Sequence, residues 1–144
     1  LDPELIIMLT SALTLSSLLQ SSGAAAQALN ALVPWLEGSS PAFWLASLLV
    51  VTALLTNFVT NVAALVLMFP LGLAAVQGGF LEATPAFLAL AFGASAAFLS
   101  PAGYATNLMV MGPGGYDARD FARLGGGLTA LYLALIFLIL NLLY

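Results

Sequence analysis

Polar positions are rare along this chain, and where they cluster inside apolar runs they mark places where the backbone must turn. The longest charge-free run extends from Gly38 to Leu81. As one straight helix it would be about 66 Å long. A bilayer core is only ~30 Å thick, so such a run folds back on itself. Thr56-Asn57-Phe58-Val59-Thr60-Asn61 lies near its midpoint, with apolar arms at 43–55 and 62–76 and with Pro70 and Gly72 in the second arm. Each arm would rise about 20 Å, enough to reach the middle of a bilayer rather than its far side. This spacing predicts a re-entrant hairpin over 42–79 with its tip at 56–62; two tilted crossings are the alternative.

The same pattern divides the rest of the chain. Residues 5–19 are apolar with interleaved Thr10, Ser11, Thr14, Ser16 and Ser17, which reads as a short helix whose hydroxyls bond back to the preceding turn. Residues 24–36 form a second predicted helix, partly interfacial because Pro34, Trp35 and Glu37 crowd its end. Glu37-Gly38-Ser39-Ser40-Pro41 is a loop. Thr84-Pro85 resembles an N-cap with a first-turn proline, opening a segment over 84–112 with a small-residue face that includes Ala89, Gly93, Ala94 and Ala97. Ser100-Pro101-Ala102-Gly103-Tyr104-Ala105-Thr106-Asn107 interrupts that segment: Pro101 breaks the hydrogen-bond ladder and Gly103 lets the chain unwind. After a Gly/Pro-rich loop from Gly112, a final helix over 121–143 is long enough to cross a membrane.

Composition turns this pattern into a class. The chain of 144 residues is 62% hydrophobic and 6% charged, with a mean hydropathy of +1.12; soluble domains carry about 25% charged residues. It is therefore expected to be an all-α integral membrane protein. Asp2, Glu4, Glu37, Glu82, Asp117, Arg119, Asp120 and Arg123 separate uncharged blocks at 5–36, 38–81, 83–116 and 124–144, each long enough for a crossing. With two Arg and no Lys there is no nucleic-acid footprint, and the lack of Cys and His removes thiolate metal sites and the usual proton shuttle. Arg119 and Arg123 place the 112–120 loop on the cytoplasmic side by the positive-inside rule, which puts Glu82 and the open end of the hairpin outside. The chain begins at Leu1, and a body this small suggests one repeat of a larger transporter.

Two polar interruptions at membrane depth, at Thr60-Asn61 and at Ser100-Pro101 to Asn107, form the chemical signal. Discontinuous segments of this kind build substrate and ion sites in secondary transporters. Asn amides, hydroxyls and unwound carbonyls are hard oxygen ligands that could suit Na⁺. Half-helices starting near Val62 and Leu108 would aim positive dipole ends at the gap and suit an anion. The competing reading is that these Asn side chains only hydrogen-bond neighbouring helices.

The stretch from Thr56 to Ala64 followed by Leu67-Met68-Phe69-Pro70 resembles the hairpin motif of the divalent anion:sodium symporter family. Phe98-Leu99-Ser100-Pro101-Ala102-Gly103-Tyr104-Ala105-Thr106-Asn107 with Gly112-Pro113-Gly114-Gly115-Tyr116 resembles its second signature, in the form found in bacterial permeases that often carry cytosolic regulatory domains. Leu18 to Ala25 also fits a family pattern, so the resemblance covers nearly the whole chain, as the C-terminal inverted repeat of a full transporter. It implies substrate contacts at Thr60, Asn61, Val62, Ser100 and Asn107, and a sodium site at Thr56, Val59, Asn61, Leu99 and Pro101. The family's Ser-Asn-Thr tip falls on Thr60-Asn61-Val62, where Val62 lacks the third hydroxyl; Ser100 replaces the usual Thr; Asn57 stands where many relatives carry Glu.

The expected protein is one inverted-repeat half of a secondary transporter, with a re-entrant hairpin and a broken transmembrane helix. It would move a small anion, sulfate or a dicarboxylate, with sodium by alternating access. The missing hydroxyl at Val62 tilts the choice toward an inorganic oxyanion. Expected partners are the lipid bilayer, the N-terminal repeat and a second copy in a homodimer, in a multi-pass bacterial inner-membrane setting. The alternatives are a cation/proton antiporter or arsenite-type exporter of the same superfamily, and a non-transporting scaffold subunit. An enzyme is disfavoured because no nucleophile–base pair or metal cluster is visible.

Overall fold

The computed structural model describes residues 10, 14, 18, 21–23, 27 and 39–144. The segments expected at 5–19 and 24–36 lie outside the described residues, apart from those scattered positions. At one of them Thr14 Oγ1 donates to Thr10 O at 2.8 Å, the expected back-bond.

From residue 39 onward the chain forms five helices and no strand: α1 (Pro41–Thr56), α2 (Asn61–Gln77), α3 (Ala83–Ala94), α4 (Ala105–Gly114) and α5 (Ala118–Leu143). Local chemistry sets most of the ends. Pro41 opens α1 behind an extended Ser40, where its missing N–H costs nothing. Gly115 ends α4 in the left-handed region at φ 64°. Asp117 and Asp120 form a reciprocal capping box at the start of α5: Asp117 Oδ1 accepts from Arg119 N (2.9 Å) and Asp120 N (3.1 Å), and Asp120 Oδ2 accepts from Asp117 N (2.9 Å). This cap starts α5 ahead of residue 121. The cap of α3 is Glu82 rather than Thr84, which falls inside the first turn.

α1 and α2 are antiparallel. Trp44 near the start of α1 stacks on Phe80 just past the end of α2, with ring centroids 4.6 Å apart, while the end of α1 meets the start of α2 at the turn 57–60. α3 runs alongside α1 in the same direction. A Cβ on Gly93 would lie 2.8 Å from Leu49 O and 2.9 Å from Thr52 Cβ, so the two backbones touch where only glycine fits. α5 returns in the opposite sense: Leu140 packs into the core beside Leu45 and Leu81, and Gly125 lies against the Phe98 carbonyl. Leu48, Leu49, Ala86, Ala89 and Leu90 fill the centre. The outer faces remain apolar, with Leu54, Leu128, Leu135 and Leu142 all exposed. α5 alone is long and apolar enough to cross a membrane among the described residues.

The interruption after α3 is longer and earlier than its sequence pattern suggests. α3 ends at Ala94 rather than near Leu99, the chain is non-helical from 95 to 104, and Asn107 belongs to the first turn of α4. Pro101 accounts for the loss of helix just before it. The earlier exit follows from Thr56, the last residue of α1, and Asn57 just beyond it, which take the carbonyls of Ala94 and Ala96.

Candidate functional site

The end of α1 loosens by spacing its last bonds more tightly: Asn57 N donates to Leu54 O at 3.2 Å and Phe58 N to Leu55 O at 3.0 Å. Thr60 is then extended, at φ −67° and ψ 154°, and its Oγ1 accepts from Ala63 N at 3.2 Å, capping α2. The turn brings Thr56, the last residue of α1, opposite Asn61, the first of α2. Thr56 is completely buried and its hydroxyl donates to Ala94 O at 2.7 Å. A hydroxyl has one proton, so toward Asn61 it can only accept. Asn61 Nδ2 accordingly sits among three oxygens, 2.9 Å from Thr56 Oγ1, 3.2 Å from Ala94 O and 3.3 Å from Gly103 O.

The non-helical stretch 95–104 leaves backbone groups that no helix satisfies, and side chains take them up. Asn57 Oδ1 accepts from Leu99 N at 2.8 Å, while its Nδ2 donates to Ala96 O at 3.2 Å and to Ala53 O at 2.6 Å. Asn107 Nδ2 donates to Ala97 O at 2.9 Å and to Ser100 O at 3.2 Å. Ser100 Oγ accepts from Ala102 N at 3.0 Å. Gly103 presses on the hairpin tip: a Cβ there would lie 2.7 Å from Thr56 O and 3.1 Å from Asn57 Cα. Behind the stretch, Phe98 meets the Tyr132 ring edge-on with centroids 5.5 Å apart, and Tyr132 Oη donates to Phe92 O at 3.1 Å.

The residues singled out from sequence therefore separate into groups. Thr56 and Asn61 are in direct contact. Ser100 and Asn107 are joined to each other through the Ser100 carbonyl, and Leu99 is tied to the hairpin through its N–H. Thr60 caps α2 and Val62 is exposed beside it. Val59 and Pro101 are half-buried at the turn and in the stretch, and Val59 N donates to Leu55 O at 3.1 Å. Sequence reasoning missed the carbonyls of Ala94 and Gly103, which complete the ring of oxygens around the Asn61 amide. Only the glycine at 103, inside a polar interruption, hinted at such close backbone approach.

The Gly103 contact also brings two helix starts near one another, α2 from Asn61 and α4 from Ala105, two residues beyond Gly103. Tyr104 offers α4 no side-chain cap. Helix starts attract anions, and neutral oxygens are ligands that a small hard cation accepts.

The profile of the citrate transporter family matches residues 1–144. Uncharacterized transporter YfbS of Escherichia coli K12 is 32% identical over 139 residues, covering 96% of this chain and 23% of that protein. Sodium/sulfate cotransporter 1 of Chlamydomonas reinhardtii is 36% identical over 125 residues, covering 85% of this chain and 14% of that protein. Uncharacterized transporter sll0640 of Synechocystis is 46% identical over 80 residues, covering 56% of this chain and 13% of that protein. The chain thus spans less than a quarter of the length of these relatives. No solved structure matches it.

Proposed function

This chain belongs to the citrate transporter family, and from that premise we propose that it forms part of the substrate and ion site of a sodium-coupled anion symporter. The family and its relatives are transporters, not enzymes, and the chain is a membrane protein. The observation that carries the reading is the ring of oxygens from Thr56, Ala94 and Gly103 around the Asn61 amide. These are neutral, hard ligands of the kind Na⁺ accepts. In this arrangement the amide nitrogen holds the three oxygens together, and rotation of the Asn61 side chain out of the ring would free them for a cation. Val59, Leu99 and Pro101 supply further carbonyls close in sequence to the same cluster.

Thr60, Val62, Ser100 and Asn107 flank the starts of α2 and α4 and form the anion side of the site. An oxyanion there is held by helix N-termini and by Thr60 and Ser100 hydroxyl protons, since both oxygens already accept one backbone bond. The substrate is a divalent oxyanion of the sulfate class. The names of the algal relatives favour it, and the apolar Val62 offers less to a dicarboxylate. α1 rises about 24 Å, short of a ~30 Å bilayer core, which favours a re-entrant hairpin over two tilted crossings. The chain acts as the C-terminal repeat of a multi-pass, homodimeric bacterial inner-membrane transporter. An N-terminal repeat completes the cage, and alternating access moves hairpin and interruption together.

The test is uptake of labelled sulfate, succinate and citrate into liposomes containing the complete parent protein, with and without an inward sodium gradient. Sodium-driven sulfate uptake is the expected result. Sulfate uptake that ignores sodium removes the coupling, and sodium-driven uptake of succinate or citrate alone replaces the substrate class.

A further inference from the structure

Asn57 is not among the residues assigned to ion or substrate, yet its side chain makes two hydrogen bonds from the hairpin to the interruption. It is 4% exposed, so its amide must find its partners within the protein. Those partners are Ala53 O within α1, and Ala96 O and Leu99 N across the gap. After α3 ends at Ala94, Ala96 O and Leu99 N are a carbonyl and an amide with no helix to satisfy them. One asparagine side chain, donor at one atom and acceptor at the other, serves both. Thr56 performs the companion task at Ala94 O, and Gly103 lies close enough to the Asn57 Cα to exclude any larger side chain.

We propose that Asn57 is the positioning residue that fastens the 95–104 stretch to the hairpin tip, and so sets where the Leu99 and Pro101 carbonyls stand relative to Thr56 and Asn61. The inference rests on the proposed sodium site for its functional consequence, but its structural content stands alone. The amide has a particular fitness for the task. Aspartate would keep the acceptor for Leu99 N but set a carboxylate against the Ala53 and Ala96 oxygens. Leucine, of similar volume, would leave all three backbone groups unpaired. Charged side chains play no part in the fastening: Glu82, Asp117, Arg119, Asp120 and Arg123 make no hydrogen bond to Asn57 among the described residues. The fastening therefore tolerates changes of salt and pH that would disturb an ion pair.

The experiment has two arms on the complete parent protein. In liposomes, Asn57→Leu is compared with wild type for the sodium and sulfate concentrations that half-saturate uptake. The sodium requirement should rise roughly tenfold or more, the scale set by leaving buried polar groups unpaired, while half-saturation by sulfate at high sodium changes much less. A fall in maximal uptake with an unchanged sodium requirement would overturn the proposal, because a merely structural defect has that signature. In the second arm, residue-resolved hydrogen exchange on wild type should find the Leu99 amide protected although it lies outside any helix, and Asn57→Leu should release it. Rapid exchange at Leu99 in wild type would overturn the proposal even if the variant does not assemble. Protection at Leu99 together with sodium-independent uptake would remove the symport reading and leave the fastening intact.

Discussion

The Thr56 hydroxyl and the Asn61 amide meet at 2.9 Å across the turn between α1 and α2, with the hydroxyl accepting because its proton is committed to Ala94 O. This one relationship joins three separate pieces of chain: the end of the first arm, the start of the second, and the last residue of α3.

Thr56→Val keeps the shape and removes the hydroxyl, leaving Ala94 O with only the longer Asn61 amide contact at 3.2 Å and taking one oxygen from around Asn61. The sodium concentration for half-maximal uptake should rise about tenfold, in line with the loss of a buried hydrogen-bonding group. Thr56→Ser should stay close to wild type. A sodium titration of uptake measures both, and equal behaviour of the two variants would contradict the assignment.

Gly103→Ala places a Cβ 2.7 Å from Thr56 O and 3.1 Å from Asn57 Cα, both backbone atoms that cannot step aside cheaply. Uptake should fall by at least roughly tenfold as the stretch is forced off the hairpin tip, a shift worth about 1–3 kcal/mol. Gly112→Ala, where nothing lies within 4 Å, is the matched control and should transport normally.

Gly125 lets α5 lie directly on the Phe98 carbonyl, and an added methyl group would collide with that carbonyl. Gly125→Ala should lower thermal stability in detergent by about 1–3 kcal/mol. Gly127→Ala, two residues along the same helix and facing open space, should be neutral or slightly stabilising because alanine favours helix.

Thr129 is buried on α5 with no hydrogen-bond partner for its Oγ1 among the described residues. Thr129→Val removes that unpaired hydroxyl at constant shape, and unfolding in detergent should shift upward by about 1 kcal/mol. A loss of stability would show that the hydroxyl has a partner supplied by the rest of the transporter.

From residue 39 onward, the succession of helices and the turn between α1 and α2 were legible because they depend on local pattern. Long apolar runs separated by Gly, Pro, Asn and Thr leave few ways to arrange the chain, and Thr60 caps the helix that follows it. The extent of the interruption was not legible. α3 stops at Ala94 because Thr56 and Asn57 claim Ala94 O and Ala96 O from 38 and 39 residues away, and periodicity does not register such distant partners. The same limit applies to the asparagines. Asn57, Asn61 and Asn107 look alike in sequence, yet Asn57 and Asn107 spend their amide nitrogens on the carbonyls of the unwound stretch. Asn61 faces the Thr56 hydroxyl and the Ala94 carbonyl at the end of α3 as well as the Gly103 carbonyl within the stretch.

The Asn61 amide and its ring of oxygens are the proposed site of the coupling ion. The most direct test of that assignment is the sodium dependence of sulfate uptake by the complete parent protein with Asn61→Ala, beside wild type in the same liposomes. The expected result is saturable, sodium-driven uptake in wild type that is lost in the variant while the protein remains folded in the membrane. A variant that takes up sulfate with the wild-type sodium dependence would contradict it.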